Sequence, residues 1–221
     1  RSINQALKGA ASCEWAVLIS GDALPDSDCV AQLLSALVQP GVGIAAARPI
    51  PVGPPGNWVV RLTQLLFCLH HEIALRHPKS TEITAFRNEV GILPEDSLVD
   101  EAEIEWVLHE KGFRTIYVPE ARIFTNAPTT FFDYVKWRRR VVLGYHWLEK
   151  RTGKQQATTS LWEKLRAICR LKEPPLRLLA IACCVEAWIV FSAKLLFYFG
   201  KHPTGIWECI RSTKRKFSLP Q

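Results

Sequence analysis

The spacing of hydrophobic residues along the chain switches repeatedly between a pattern typical of strands and one typical of helices. Residues 15–20 ("WAVLIS") form a short continuous apolar run, a pattern typical of a strand buried on both faces. Apolar residues then recur at helical spacing over 30–38, until Pro40-Gly41 ends the helix. Residues 21–28 ("GDALPDSD") between them are predicted as a turn with helix-capping acids. The pattern favours strands that alternate with helices.

The same alternation continues to residue 153. We predict strands at 43–52, 82–87 and 114–119, and helices at 2–11, 58–75, 101–111 and 129–153. Strands that alternate with helices indicate an α/β layer fold.

The last third of the chain has a different pattern. Residues 161–175 are predicted as a basic amphipathic helix, and residues 176–199 are nearly all apolar. Twenty-four helical residues could cross a bilayer, but Glu186 and Lys194 would each cost roughly 2.5–3.5 kcal/mol at its centre. An interfacial or tilted helix fits as well, and so does a core helix that pairs Glu186 with a cation from elsewhere.

The positive charge is concentrated in this last third. The formal net charge is +7, yet residues 1–150 hold 15 Lys+Arg and 17 Asp+Glu, whereas residues 151–221 hold 13 and 4. A charge asymmetry of this kind indicates a polyanionic neighbour, either nucleic acid or anionic lipid. Since an apolar helix dominates the basic third, we expect membrane lipids and no nucleic acid.

Cysteine usage argues against a disulfide scaffold or a zinc site. The seven cysteines are scattered, with no CxxC spacing, and no His pair lies near a Cys at ligand spacing. A reducing compartment fits this pattern better.

Three groups of residues could carry chemistry. Asp22 follows a predicted strand and could hold a divalent cation that bridges phosphates, or simply cap the following turn. Asp100 and Glu101 open a helix, where acids are stabilised by the dipole, and one of them could be a general base. Arginines at 138–140 could bind phosphate or form a solvated basic face. Glu103 and Glu105 are expected to be solvated on the helix surface.

In this order, these segments resemble the second half of a family 2 glycosyltransferase. The resemblance rests on four segments: "ISGDALPDSDCVAQLL", "ITAFR", "VDEAEIEWVLHEKGFRTIYVPEARIF" and "FFDYVKWRRRVVLGY". The resemblance is nearer to the membrane-bound synthases of this family. It covers about residues 1–150, and a weaker similarity is found at residues 205–215. It implies a GT-A-like (Rossmann-like) α/β mixed sheet with flanking helices, plus C-terminal membrane or interfacial helices. The expected domains are 1–153, the C-terminal portion of a GT-A domain, and 154–221, a membrane-associated helical region.

The resemblance also implies roles for particular residues. Asp22 matches the last Asp of the DxD motif, a ligand of Mg²⁺ or Mn²⁺, and Ser20 stands at its first Asp. Glu101 matches the catalytic base and Asp100 the acid before it. The residues expected to bind substrate are Ser20, Arg87 on the acceptor side, and four residues in the region of the QxxRW motif: Trp137, Arg138, Arg139 and Arg140. Arg140 matches the Arg of that motif, while Trp137 stands at its Gln.

The implied function is transfer of a sugar, with inversion, from a nucleotide-sugar donor to a lipid-linked or saccharide acceptor. It would take place at a membrane, with the catalytic part on the cytoplasmic face. The family's first strands, which grip the nucleotide, would lie before Arg1, so we expect this chain to lack the nucleotide-binding part. The alternative is a non-catalytic membrane-surface protein that retains part of the fold.

Overall fold

The computed structural model describes residues 2–95, 97–154, 160–171, 175–199 and 210–214. In chain order the elements are α1 (Ser2–Gly9), β1 (Trp15–Ile19), β2 (Ala23–Pro25), α2 (Cys29–Leu37), β3 (Val42–Val52), α3 (Trp58–Ala74), β4 (Ile83–Arg87), α4 (Asp100–Glu110), β5 (Arg114–Asn126), α5 (Phe131–Thr152), α6 (Leu161–Ile168) and α7 (Leu176–Tyr198). A short 3-10 turn, Arg211–Thr213, follows.

The described strands form one mixed sheet in the order β1-β4-β3-β5-β2. Strand β4 pairs antiparallel with both β1 and β3, and β2 pairs antiparallel with β5. Strands β3 and β5 run parallel. At their starts the Arg114 N–H donates to the carbonyl of Gly41, just before β3, and at their ends the N–H of Ala127, just after β5, donates to the Val52 carbonyl.

By contacts the chain divides into two compact units. The first comprises Arg1–Ile50 and Ala74–Thr125, and the second comprises Pro51–Ile73 and Asn126–Gln221. These contacts do not bear on the boundary expected at residue 153, so that boundary stays a prediction.

The first unit is a sheet with a helix on each face. Alternating strand residues separate into two apolar clusters, as a period of two requires. Ile83 and Ala85 of β4 pack with Leu33 and Leu37 of α2. Phe86 lies in the cluster that contains Ile104 and Leu108 of α4.

The second unit is built around helices α3, α5 and α7. Val59 and Leu62 of α3, Tyr134 and Val135 of α5, and Ile189 of α7 form its buried apolar cluster. Helix α5 begins with a cap in which the Thr130 hydroxyl accepts the Asp133 N–H, and it ends at Gly153 in the left-handed conformation.

The predicted fold class is confirmed: the described chain is a mixed α/β sheet with flanking helices and one long apolar C-terminal helix. Most predicted elements are present within one or two residues, with three exceptions in the strands. Strand β1 is only half-buried, because it lies at the edge of the described sheet. The predicted turn contains β2, and β5 continues to Asn126 rather than ending at 119.

The C-terminal predictions are met in part. Helix α6 ends at Ile168, whereas a helix to residue 175 was expected. Residues 172–174 lie outside the described part of the chain. So do residues 205–209 and 215 of the segment 205–215, where a weaker similarity to the family was expected.

Gly43 is required by a close approach of β3 to the residue that precedes β5. A Cβ atom at this buried position would lie 2.5 Å from the Phe113 Cβ. We predict that Gly43→Ala lowers the free energy of unfolding by about 1–3 kcal/mol, since one of the two strands must move. Chemical denaturation measures the change.

Gly9→Ala is the matched control, since a Cβ there meets no atom within 4 Å. We expect it to be neutral or slightly stabilising at the end of α1. Equal stability of the two variants would contradict the assigned packing of β3.

Candidate functional site

The antiparallel pairing of β1 and β4 brings the end of one strand to the start of the other. Ile19 is paired with Ile83, and the ladder continues with a hydrogen bond of 2.9 Å from the Ser20 N–H to the Glu82 C=O. Glu82 therefore lies opposite Ser20, with Asp22 two residues further along the turn. Burial raises the pKa of Glu82, and the negative charge of Asp22 raises it further, so the two carboxylates are close enough to interact.

The N-terminus of α4 adds two more acids. Asp100 and Glu101 are the first two residues of the helix, where the dipole stabilises negative charge. Burial raises the pKa of the half-buried Glu101 carboxyl to about 7, a hydrogen bond with its own backbone lowers it, and the charge of Glu82 raises it. Asp22, Glu82, Asp100 and Glu101 are called the acidic cluster below.

A buried cation compensates part of this negative charge. Only 9% of Lys79 is exposed, and its ammonium group lowers the pKa values of Glu82, Glu101 and Glu105. Like charges at such separations disfavour ionisation, and a nearby opposite charge favours it. Lys79 thus opposes part of the rise that burial produces in the pKa values of these carboxyl groups.

The segment that carries Lys79 and Glu82 is fixed by buried hydrogen bonds. The Ser80 N–H donates to Glu105 Oε2 at 2.8 Å. The Thr81 hydroxyl lies 2.8 Å from the Ala47 carbonyl oxygen, which it can use as its acceptor. Glu105 therefore connects α4 to this segment.

The expectation that Glu103 and Glu105 are solvated is wrong. Glu103 is 2% exposed and Glu105 is 4% exposed. The Ser80 N–H stabilises the Glu105 carboxylate, although burial still raises the pKa of Glu105. The sequence shows a run of acids but does not show that this side of α4 faces the segment before β4.

Sequence reasoning missed Lys79 and Glu82. For Glu82 the sequence did contain a signal, since it is an acid directly before a predicted strand. When two strands pair antiparallel, the start of one and the end of the other lie at the same edge of the sheet. The weak alternation of residues 82–87 did not reveal that β4 pairs with β1, so Glu82 could not be placed beside Ser20.

The structure does not bring Arg87 to the acidic cluster. Arg87 lies at the far end of β4 from Glu82, about 17 Å along the strand. Its guanidinium donates to the Val42 carbonyl and pairs with Glu14 at 3.2 Å. Its assignment to the acceptor side stays a prediction.

The predicted motif residues at 137–140 belong to α5 in the second unit. Trp137 stacks on Phe67 with ring centroids 6.0 Å apart, and Tyr134 meets its edge. Arg139 and Arg140 are half-buried. Their roles in substrate binding stay predictions.

Arg138 pairs with Glu186 of α7 through its Nε and Nη2 groups, which make three hydrogen bonds to the carboxylate. Arg138 Nη2 lies 2.7 Å from Glu186 Oε2, Arg138 Nε lies 3.0 Å from Glu186 Oε1, and the Tyr134 hydroxyl donates to Oε1 at 2.7 Å. Burial alone would raise the pKa of Glu186, but the charge and hydrogen bonds of Arg138 hold it below its ordinary value. One alternative left open by the sequence was a core helix that pairs Glu186 with a cation from elsewhere. The structure contains the pairing, but most of α7 is exposed, so the core-helix part of that alternative is not met.

The donor set near Asp22 fits a divalent cation only if other ligands contribute. Among the described residues, no group of three or more His, Cys, Asp or Glu side chains is arranged to hold a metal ion. Mg²⁺ is commonly held by one or two carboxylates together with water and substrate phosphates. The carboxylates of Asp22 and Glu82 supply the hard oxygen atoms that Mg²⁺ and Mn²⁺ prefer.

The sheet places the carboxyl groups of Asp22 and Glu82 at one edge, and the N-terminus of α4 brings Glu101, with a pKa of about 7, close to Glu82. This arrangement defines an α/β protein with a candidate acid–base site. The family model "Glycosyl transferase family group 2" matches residues 15–200. Since the match covers most of the chain, the protein belongs to this glycosyltransferase family.

Among solved structures, the chain is similar to the mannosyltransferase PcManGT from Pyrobaculum calidifontis, which was determined in complex with GDP-Man and Mn²⁺. The two share 22% sequence identity with a TM-score of 0.46, over 90% of this chain and 53% of that chain. This chain therefore spans about half the length of the matched structure. No curated protein matches the chain.

The raised pKa of Glu101 predicts a stability that depends on pH. A free glutamate titrates near 4.5 and folded Glu101 near 7, so the folded chain binds more protons between these values. Stability therefore falls as pH rises through this window. We predict that Glu101→Gln stabilises the protein at pH 8 by up to about 3 kcal/mol and changes little at pH 4. Urea denaturation at both pH values measures it.

Glu110→Gln, at the exposed end of the same helix, controls for the loss of one carboxylate. If Glu101→Gln gave the same change at both pH values, the burial assigned to the Glu101 carboxyl would be wrong.

The Arg138–Glu186 pair predicts a large coupling energy. Its side chains are only 14% and 18% exposed, so removal of one partner leaves a charge that water scarcely reaches. We predict that Glu186→Leu or Arg138→Met alone lowers the free energy of unfolding by about 3–5 kcal/mol at pH 7, and that the double change Arg138→Met/Glu186→Leu restores most of it. A double-mutant cycle by chemical denaturation measures the coupling.

The direction in which the stability contributed by this ion pair changes with pH follows from the lowered pKa of Glu186. The contribution of the pair is complete above about pH 4.5 and is lost as pH falls through the lowered value. If the losses of unfolding free energy in the two single variants added up to the loss in the double variant, the two side chains would not be coupled.

Proposed function

We propose that the protein transfers a sugar from a nucleotide-sugar donor to an acceptor hydroxyl, with inversion, as part of a membrane-associated glycosyltransferase. Membership of the glycosyltransferase family supports the reaction class. The observation that carries the proposal is the position of Glu101 within the acidic cluster, with a pKa of about 7. A general base works best when its pKa lies near the operating pH.

Glu101 is the proposed base and accepts the proton of the acceptor hydroxyl. The acceptor oxygen then attacks the anomeric carbon, and the nucleoside diphosphate leaves from the opposite face, so the configuration inverts. Burial, reinforced by the charges of Glu82 and Asp100, keeps the Glu101 carboxyl partly protonated at neutral pH, and Lys79 limits this effect.

Asp22 is the proposed ligand of Mg²⁺ or Mn²⁺, with Glu82 as a second source of oxygen atoms. When bound, the cation would neutralise the charge that develops on the diphosphate. Arg140 is proposed to bind the diphosphate on the strength of the motif resemblance alone. Ser20, Arg87, Trp137, Arg138 and Arg139 are retained as substrate-binding proposals on the same ground.

The proposed acceptor is a lipid-linked or saccharide hydroxyl, and the proposed setting is a membrane with the catalytic part on the cytoplasmic face. The basic last third and the exposed apolar helix α7 support this setting. We retain residues 1–153 as the proposed GT-A portion and 154–221 as the proposed membrane-associated region.

We predict that Glu101→Gln lowers the turnover number by about 10²–10⁴-fold and leaves the donor Kd within about threefold. Asp22→Asn is expected to weaken donor binding in the presence of Mn²⁺, with little change in its absence. The turnover number of the wild type should rise with pH through about 7, as Glu101 loses its proton. Sugar transfer from UDP- and GDP-sugars and calorimetric donor binding are the two measurements.

Glu110→Gln is the control for both assays. A fully active Glu101→Gln variant would move the base to Asp100 or remove the assignment. If the wild-type chain binds no nucleotide sugar and transfers none, the non-catalytic membrane-surface alternative replaces the proposal.

A further inference from the structure

Arg48 is a cation in the second half of β3, outside the acidic cluster. Alternate residues of a strand share one face of the sheet. Ile44 belongs to the apolar cluster that includes residues of α4, so Ala46 and Arg48 lie on the same face as α4. Ile44 and Ala46 are fully buried, whereas Arg48 and Ile50 are half-buried. The α4 face of the sheet therefore opens to solvent at Arg48.

The pairing of β3 with β4 places Arg48 beside the segment that carries Glu82. Ala46 is paired with Thr84, and the same antiparallel register continued by two residues brings Arg48 opposite Glu82. Residues that are opposite each other in an antiparallel pair point to the same face. Arg48 and Glu82 therefore both lie on the face that α4 covers, at the end where this face is open.

Two further observations locate Arg48 next to this segment. The Thr81 hydroxyl lies 2.8 Å from the Ala47 carbonyl oxygen, in the peptide group that joins Ala47 to Arg48. Burial raises the pKa of the Tyr117 hydroxyl, the positive charge of Arg48 lowers it, and the negative charge of Glu82 raises it. A charge shifts a pKa in this way only from nearby. Arg48 and Glu82 therefore lie around the same buried tyrosine.

The guanidinium of Arg48 differs from two others in the first unit. Arg87 pairs with Glu14 at 3.2 Å, and Arg122 pairs with Asp26 at 2.8 Å. Among the residues that the structure describes, no acidic side chain forms such an ion pair with Arg48. A guanidinium has five N–H donors, which form strong hydrogen bonds with anionic oxygen atoms. Arg48 can therefore bind an anionic ligand at the open end of this face.

The chemistry of the site selects the anion. The acidic cluster repels an anion, so a phosphate that binds beside it needs cations. Lys79 is only 9% exposed, and its charge already acts on the surrounding carboxyl groups. Arg48 adds a guanidinium toward the carboxyl end of β3, the end at which open α/β sheets bind their ligands. The planar guanidinium matches two phosphate oxygen atoms at once.

We propose that Arg48 binds a phosphate group of the substrate through paired hydrogen bonds from its guanidinium. The phosphate belongs either to the nucleoside diphosphate of the donor or to the lipid-linked acceptor. The inference rests on the proposed function and adds to it a substrate-binding residue in the first unit. It stands on strand register and burial, whereas Arg140 is assigned to the diphosphate by motif resemblance alone.

Calorimetry of the full chain with two simple probes tests the assignment. Pyrophosphate with Mn²⁺ represents the donor diphosphate, and a short prenyl monophosphate represents the acceptor. Arg48→Met keeps a long side chain and removes its charge. We expect it to weaken the binding of at least one probe by about 10–100-fold. A loss for pyrophosphate alone assigns Arg48 to the donor, and a loss for the prenyl phosphate alone assigns it to the acceptor.

Two further variants make the result specific. Arg48→Lys keeps the charge but loses the paired hydrogen bonds, so we expect it to weaken binding of the same probe by about 3–10-fold. Arg114→Met, at an exposed position of β5, is the matched control and should bind both probes within about twofold of the wild type, because an exposed charge is screened. Circular dichroism and the melting temperature show whether each variant folds. If Arg48→Met does not fold, Arg48→Lys decides, and unchanged affinity for both probes in that variant rejects the assignment.

Binding of neither probe by the wild type, or unchanged affinity for both probes in Arg48→Met, would overturn the proposal. Sugar transfer is a separate readout. Binding that depends on Arg48, without any transfer by the wild type, rejects the proposed reaction and keeps the phosphate site. Transfer by the wild type, with probe binding that does not depend on Arg48, rejects the phosphate site and keeps the proposed reaction.

Discussion

The candidate site depends on the hydrogen bond between the Ser80 N–H and the buried carboxylate of Glu105. This bond holds the segment before β4 against helix α4, and so keeps Lys79 and Glu82 near Glu101. Without it, the carboxyl groups of Glu82 and Glu101 could turn toward water, and their raised pKa values would fall toward the ordinary value. With it, burial and mutual repulsion raise the pKa of Glu101 to about 7. The raised pKa values of Glu82 and Glu101 therefore depend on how the segment before β4 packs against α4.

Much of the fold follows from sequence periodicity alone. The apolar spacing in α2, α3 and α5, and the apolar strand β3, predict their elements closely because each buries a clear face. For β5 the pattern predicts the start but not the end. Strand β2 was missed because three residues give too short a pattern, and they contain a proline typical of turns. The burial of β1 was overestimated, since an apolar run does not tell whether neighbours lie on both sides.

The site was predictable only in part. Asp22, Asp100 and Glu101 could be found because their motifs are local in the chain. Glu82 and Lys79 could not, because their importance arises from the pairing of β1 with β4 and from contacts with α4 that no local pattern encodes. The same holds for Glu186, whose partner Arg138 is 48 residues away in the chain. Sequence reasoning offered a cation partner for Glu186 as one alternative, but it could not tell which of the many cations supplies it.

The Arg138–Glu186 pair also constrains how the protein can change during evolution. A substitution at either position alone leaves a charge enclosed between α5 and α7, so each residue makes the other difficult to replace. The accessible route is a concerted change, through a relative in which both positions become apolar or in which the charges are exchanged. Among relatives that keep this helix packing, positions 138 and 186 are therefore expected to covary, and their correlated variation would record the docking of the two helices.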